Sequence, residues 1–184
     1  MQLFKEVRPP IPGTAKRPRR VDYDYERAGT ANIFMFTEPL AGWRQASARQ
    51  FKTKVDWACE IAELLEGRYA ACEQVILICD NLNTHTKGAF YEAFQPERAR
   101  NLVRRLRFCH TPKHGSWLNV AENELSSLTR QCVSGRRFGD LKTLQREIAA
   151  WSTDVNNTQR GVDWQMKIDD ARSKLKSIYP KIKT

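Results

Sequence analysis

The stretch that most constrains this chain is Val75-Ile76-Leu77-Ile78-Cys79, a short unbroken apolar run that ends abruptly in Asp80-Asn81. A run of that length, rich in β-branched residues and without polar alternation, reads as a central strand covered on both faces. Such a strand needs helical layers, and the neighbouring patterns provide them. Residues 53–65 place Val55, Cys59, Ala62 and Leu65 on one side, and Trp57, Ile61 and Leu64 widen that face into a broad buried stripe. Pro96 opens a helix to about residue 106, with Ala99, Leu102, Val103 and Leu106 apolar, and residues 106–111 form another short strand before Pro112. Further helices are predicted over 119–133, 141–156 and 169–179.

Upstream the period changes to two. Over 21–29, Asp22, Asp24 and Glu26 alternate with Tyr23, Tyr25 and Arg27, which predicts a strand. Gly29-Thr30 makes a turn into a second strand over 31–36, so the two read as a hairpin, and a third strand follows the turn at 39–42 and covers 43–49. Strands first, then strands interleaved with helices, predict a three-layer α/β domain with a mixed sheet. Residues 1–20 read instead as an extended arm, because Pro9, Pro10, Pro12 and Pro18 forbid regular helix. Lys16, Arg17, Arg19 and Arg20 make that arm basic, either as a solvated tail or as a phosphate-contacting element. The domain division is therefore 1–20 and 21–184.

Composition narrows the function. The chain has 31 Lys+Arg against 21 Asp+Glu, a formal net charge of +10, which favours a polyanionic partner. Arg98, Arg100, Arg104, Arg105 and Arg107 crowd the helix that Pro96 opens, and Arg136-Arg137 follow the next one. No stretch approaches the ~18–20 apolar residues of a membrane span, and the first residues lack the apolar core of a signal peptide. Five scattered cysteines without a C-x-x-C pair argue against a disulfide framework and for a reducing, cytoplasmic setting. Zinc is disfavoured, because Cys109-His110 are adjacent and no second ligand pair lies at finger spacing. Cys79 and Cys132 sit in apolar patterns where an inert thiol is expected.

Two places could carry chemistry. Asp80 lies just past the C-terminal end of the central strand, where open α/β sheets place ligands. A lone carboxylate there is half a site for a hard divalent cation, and its bland alternative is a turn residue bonding its own backbone. The second place is the segment from Thr111 through Asn119 to Glu124. Glu122 and Glu124 fall on opposite flanks of the apolar stripe made by Leu118, Ala121, Leu125, Leu128 and Cys132, so periodicity does not choose between them. The bland alternative for Glu122 is a capping box with Asn119, and for Glu124 a solvated helix charge.

Asp80-Asn81-Leu82-Asn83-Thr84-His85 and Thr111-Pro112-Lys113-His114-Gly115-Ser116-Trp117-Leu118-Asn119 together resemble the catalytic domain of insertion-sequence-630 transposases, a branch of the mariner superfamily. The likeness extends through residues 22–32, 124–132 and 170–175. It implies a ribonuclease-H-like fold that cuts and joins DNA with two divalent ions, Mg²⁺ or Mn²⁺, held by two Asp and one Glu. Asp80 matches the second Asp and Glu122 the Glu, which selects Glu122 over Glu124. Asn81, His85, Lys113, His114, Trp117 and Asn119 are the supporting motif residues. Gln2-Leu3 and Glu6 match the tail that follows the first Asp, so the resemblance implies that this Asp, its strand and a helix-turn-helix region lie before Met1. The first strand, which belongs between the second strand and the one ending at Asp80, is thus expected to be missing. Asp22 and Asp24 align with the second strand and are not assigned as substitutes. The implied partners are transposon-end and target DNA, with a second copy or a full-length transposase, in a bacterial, nucleoid-associated setting. The implied function is DNA transposition, inactive in the isolated chain. The competing readings are a non-catalytic DNA-binding or regulatory fragment, and a nuclease recruiting Asp22 or Asp24.

Overall fold

The computed structural model describes residues 1–112, 119–158, 161, 163, 165 and 167–175. Its elements run β1 (Gln2–Glu6), β2 (Tyr25–Thr30), β3 (Asn32–Glu38), β4 (Trp43–Arg49), α1 (Lys54–Glu66), β5 (Val75–Cys79), α2 (Gly88–Ala93), α3 (Pro96–Arg104), β6 (Leu106–His110), α4 (Val120–Leu128), α5 (Leu141–Asn157) and α6 (Ile168–Leu175). A π-helical turn, Thr129–Val133, prolongs α4.

Among the described residues the expected single mixed sheet is not formed. Among the described residues the strands make three two-stranded ladders: β1 with β2 and β3 with β4, both antiparallel, and β5 with β6, parallel. The hairpin expected across Gly29-Thr30 is also replaced, because β2 pairs back onto β1. Two β2 residues, Ala28 and Gly29, oppose the single residue Leu3 in that ladder. Gly29 takes φ +101°, a left-handed conformation that lets a bulge of this kind form without a Cβ clash. At the strand ends the Met1 ammonium donates to the Ala31 carbonyl at 2.8 Å, and the Ala31 amide donates to the Met1 carbonyl at 2.8 Å. Of the strand predicted over 21–29, only the part from Tyr25 on forms, with all of β2 exposed, and alternation carries no information on its partner.

The proline-rich arm folds back on itself. Ile11 and Arg20 exchange backbone bonds of 3.0 and 3.1 Å, and Thr14 and Arg17 exchange bonds of 2.8 and 3.2 Å, which places Lys16 at the tip of a small hairpin. The prolines exclude helix, as expected, yet the non-proline positions between them retain enough N–H groups to pair.

Two cores flank β3. Ile33 and Met35 pack with Ala46 and Ala48 of β4 against Leu144, Ile148 and Trp151 of α5. Phe34 and Phe36 face the other way, toward Trp57, Ile61 and Leu65 of α1 and the buried Phe90 of α2. This alternation along one strand gives three layers at β3–β4. α1 begins with a reciprocal cap: the Asp56 amide donates to Thr53 Oγ1 at 3.1 Å, and the Thr53 amide donates to Asp56 Oδ2 at 2.9 Å. The indole N–H of Trp151 donates to Gln131 Oε1 at 2.8 Å, so this buried ring leaves no polar atom stranded.

β5 departs from its reading in one respect. Val75 and Leu77 pack into the second core, but Ile76 and Ile78 are 57% and 64% exposed. The strand expected to be covered on both faces is covered on one.

Candidate catalytic and metal-binding site

Asp80 follows β5 and sits in a tight turn. Its Oδ1 accepts from the Leu82 amide at 3.2 Å and lies 2.8 Å from His85 Nδ1. The His85 ring stacks on Trp57 of α1, with centroids 5.0 Å apart and an interplanar angle of 28°. Trp57 is itself buried, so α1 fixes the imidazole and the imidazole helps fix the carboxylate. Asn81 ties the turn to the neighbouring strand: its Nδ2 donates to the Thr111 carbonyl at 2.6 Å, while the Thr111 amide donates to the Cys79 carbonyl at 2.9 Å. The turn reading of Asp80 is therefore correct as far as it goes. It is compatible with ligation, because both contacts fall on one carboxylate oxygen.

α4 separates the two glutamates that periodicity left equivalent. Asn119 is its N-cap, accepting from the Ala121 amide at 3.2 Å. Glu122 makes no reciprocal side-chain bond to that cap; its backbone N–H donates to the Asn119 carbonyl at 3.0 Å and its side chain is exposed. Glu124 is buried and paired with Arg44, whose Nε lies 2.8 Å from Oε2. Arg44 is held in turn by Asn156 of α5, which accepts from the Arg44 amide at 2.9 Å and donates to its carbonyl at 2.7 Å. Glu124 is thus neither solvated nor at the site, but part of a buried ion pair.

Asp80 and Glu122 line the same cavity, of about 450 Å³, together with the polar side chains of Asn119, His85, Thr84 and Lys52 and the apolar ones of Phe34, Trp57, Leu77 and Leu125. Two carboxylates on separate elements are hard oxygen donors of the kind one Mg²⁺ or Mn²⁺ takes, with water or phosphate completing the shell. Among the described residues no cluster of three or more His, Cys, Asp or Glu side chains that could hold a metal ion is present. Asp22 and Asp24 do not line this cavity; the Asp22 carboxylate faces Arg8 at 3.6 Å and accepts from the Asp24 amide at 3.3 Å. Lys113, His114 and Trp117 lie outside the described residues. Lys52 had no motif to mark it, because only the fold brings it to the cavity that Asp80 lines.

The thiol next to the site is quiet. Burial pushes Cys79 up to about 11, reinforced by the negative charge of Asp80 and by Cys109. Burial also raises Cys132, partly opposed by Arg136.

The basic residues divide into two groups. Lys16, Arg17, Arg19 and Arg20 on the hairpin and Arg104 at the end of α3 are exposed. Arg100 and Arg107 are exposed as well, whereas Arg98, Arg105, Arg136 and Arg137 are engaged with other groups of the chain. Arg98 makes a two-point pair with Glu66, at 2.9 and 2.7 Å. Arg105 donates to the carbonyls of Leu65 at 3.0 Å, of Cys72 at 2.9 Å and of Tyr69, gathering the chain after α1. Arg136 pairs with Glu147 at 2.5 Å, and Arg137 binds Glu6 at 3.0 Å and the Asp22 carbonyl at 2.7 Å.

No curated protein and no solved structure matches the chain. The family model of the DDE superfamily endonuclease matches residues 4–145, a span that contains Asp80, Asn119 and Glu122 with the elements that carry them. With that match covering most of its length, this chain belongs to the DDE superfamily of endonucleases.

Proposed function

We propose that this is the catalytic domain of a DNA transposase of the insertion-sequence-630 branch of the mariner superfamily, with Asp80 and Glu122 as its metal-holding carboxylates. The observation that carries the reading is their convergence on one cavity from a strand end and a helix start 42 positions apart (122 − 80) in sequence. Divalent ions bound there would activate an attacking water or 3′-hydroxyl and steady the leaving oxygen. The chain's own residues prepare that site. Asn81 and Thr111 hold the ends of β5 and β6 together, His85 orients Asp80, and Asn119 fixes the helix turn that presents Glu122. Lys52 and the basic hairpin would bind the DNA phosphates.

The cavity has two carboxylates among the described residues, which favours a second reading. The isolated chain binds DNA and one metal without cutting, because a third carboxylate is needed to hold two ions in shared coordination. The test incubates the purified full chain with element-end DNA and Mg²⁺ or Mn²⁺. Binding without cleavage is the expected result. Cleavage that vanishes in Asp80→Asn and Glu122→Gln would establish the carboxylates and overturn the inactivity. Cleavage lost in Asp22→Asn instead would move the site to the β2 region and contradict the assignment.

A further inference from the structure

The basic hairpin has no core of its own. Every residue from 11 to 21 is exposed, and its legs share the backbone bonds of Ile11 with Arg20 and of Thr14 with Arg17. A two-stranded ribbon of this kind is marginally stable in water by itself, so its direction is set where it joins the rest of the chain. Arg137 closes that junction. Its Nη1 donates to Glu6 Oε2 at 3.0 Å, at the end of β1 where the hairpin leaves, and to the Asp22 carbonyl at 2.7 Å, where it returns. The guanidinium carbon lies 5.2 Å from the centre of the Tyr25 ring at the start of β2. That ring meets Phe4 of β1 edge-on, with centroids 4.6 Å apart. Across the same two legs the Asp22 carboxylate faces Arg8 at 3.6 Å.

Arg137 is itself fixed from behind. Phe138 is buried in the core that holds Leu3, Leu128 and Leu144, and its carbonyl accepts from the Phe4 amide at 2.9 Å. The chain reaches Arg137 from the π-helical turn that prolongs α4, the helix whose first turn carries Glu122. One guanidinium thus ties the exposed cluster of Lys16, Arg17, Arg19 and Arg20 to the helix of the candidate metal site. Its place in the sequence marks Arg137 as one more phosphate-binding arginine, yet its charge is turned inward and its side chain is 26% exposed. We propose that Arg137 is a positioning residue for DNA binding. It holds the hairpin in one orientation relative to α4, and the four basic residues of the hairpin, not Arg137, meet the phosphates. The inference rests on the reading of the hairpin as a DNA-binding element. A hairpin held in place avoids the ordering cost that a loose one incurs on binding. Charge and position then make opposite predictions at Glu6. Removing that carboxylate raises the net charge by one and releases Arg137, which strengthens binding if Arg137 contacts phosphate and weakens it if Arg137 holds the hairpin.

The test follows binding of the full chain to a fluorescein-labelled DNA duplex of mixed sequence by anisotropy across a salt series. Chelator is present, so that no divalent ion contributes, and thermal midpoints check that each variant is folded. Glu6→Ala and Arg137→Ala are each expected to weaken binding about tenfold, the worth of one charge-assisted hydrogen bond, with the slope of log affinity against log salt unchanged. Tighter binding by Glu6→Ala, or a slope flatter by about 0.9 in Arg137→Ala, would make Arg137 a phosphate contact and overturn the proposal. Affinities equal to the parent chain's in both variants would leave Arg137 a structural clasp and overturn it as well. A variant with Lys16, Arg17, Arg19 and Arg20 all replaced by Ala is measured beside them. If its slope matches the parent chain's, the reading of the hairpin fails and this proposal falls with it. If its slope flattens while Glu6→Ala binds as tightly as the parent chain, only the role of Arg137 fails.

Discussion

Glu122 and Glu124 are two positions apart on one helix and serve opposite purposes. Nothing in the local pattern separates them, because what distinguishes them is Arg44, delivered from β4 some 80 positions earlier. The resemblance to transposase motifs selected Glu122, and the burial of Glu124 supplies an independent physical reason to set Glu124 aside. The side chains of Arg44 and Glu124 are 1% and 10% exposed. Glu124→Ala is therefore expected to cost about 3–5 kcal/mol, since it removes the carboxylate from a buried ion pair. Glu122→Ala, at an exposed position, should stay within about 0.5 kcal/mol. Urea unfolding of the two variants checks this, and equal losses would contradict the division of roles. Cys79 gives a second residue-scale prediction. Its thiol is raised from 9.0 to about 11 chiefly by burial, so the reactive thiolate is scarce at neutral pH. Alkylation at pH 8 should label the exposed Cys72 and spare Cys79. Because the folded-state value lies above the unfolded one, the neutral thiol supports folding below about 9, and that support is lost as pH rises through about 11.

At the scale of elements, local sequence patterns located β4, α1, β5 and β6 and the starts of α3 and α5 to within a residue or so, although the apolar run of β5 did not record that Ile76 and Ile78 are exposed. Pairing was not legible. The β1–β2 ladder joins segments separated by the basic hairpin, and alternation over 21–29 is equally consistent with any partner. α2, six residues long, has too few turns to show a period. The caps are where elements and site meet. Thr53→Ala should lower stability by about 1 kcal/mol through loss of the α1 capping box. Asn119→Ala should cost a similar amount, about 1 kcal/mol, at α4. Only the second should also weaken divalent-metal binding, because α4 carries Glu122. Loss of metal binding in both would point to a general loosening of the fold.

Across the whole molecule, the surplus of ten positive charges says that the chain is basic but not where that charge is presented. Arg98, Arg136 and Arg137 are matched by Glu66, Glu147 and Glu6, and Arg105 clasps backbone carbonyls, while Lys16, Arg17, Arg19 and Arg20 sit exposed together on the hairpin. Replacing Lys16, Arg17, Arg19 and Arg20 by Ala should flatten the slope of log affinity for DNA against log salt by about 3 to 4. An unchanged slope would move the DNA contact elsewhere. The apolar run 75–79 reads as covered on both faces, and among the described residues it is covered on one, with Ile76 and Ile78 exposed on the other. The central claim is that Asp80 and Glu122 hold metal together, and Mn²⁺ titration of the full chain tests it most directly. Saturable binding should be lost in both Asp80→Asn and Glu122→Gln and kept in Asp24→Asn. Equal binding by the parent chain and the first two variants would contradict the site.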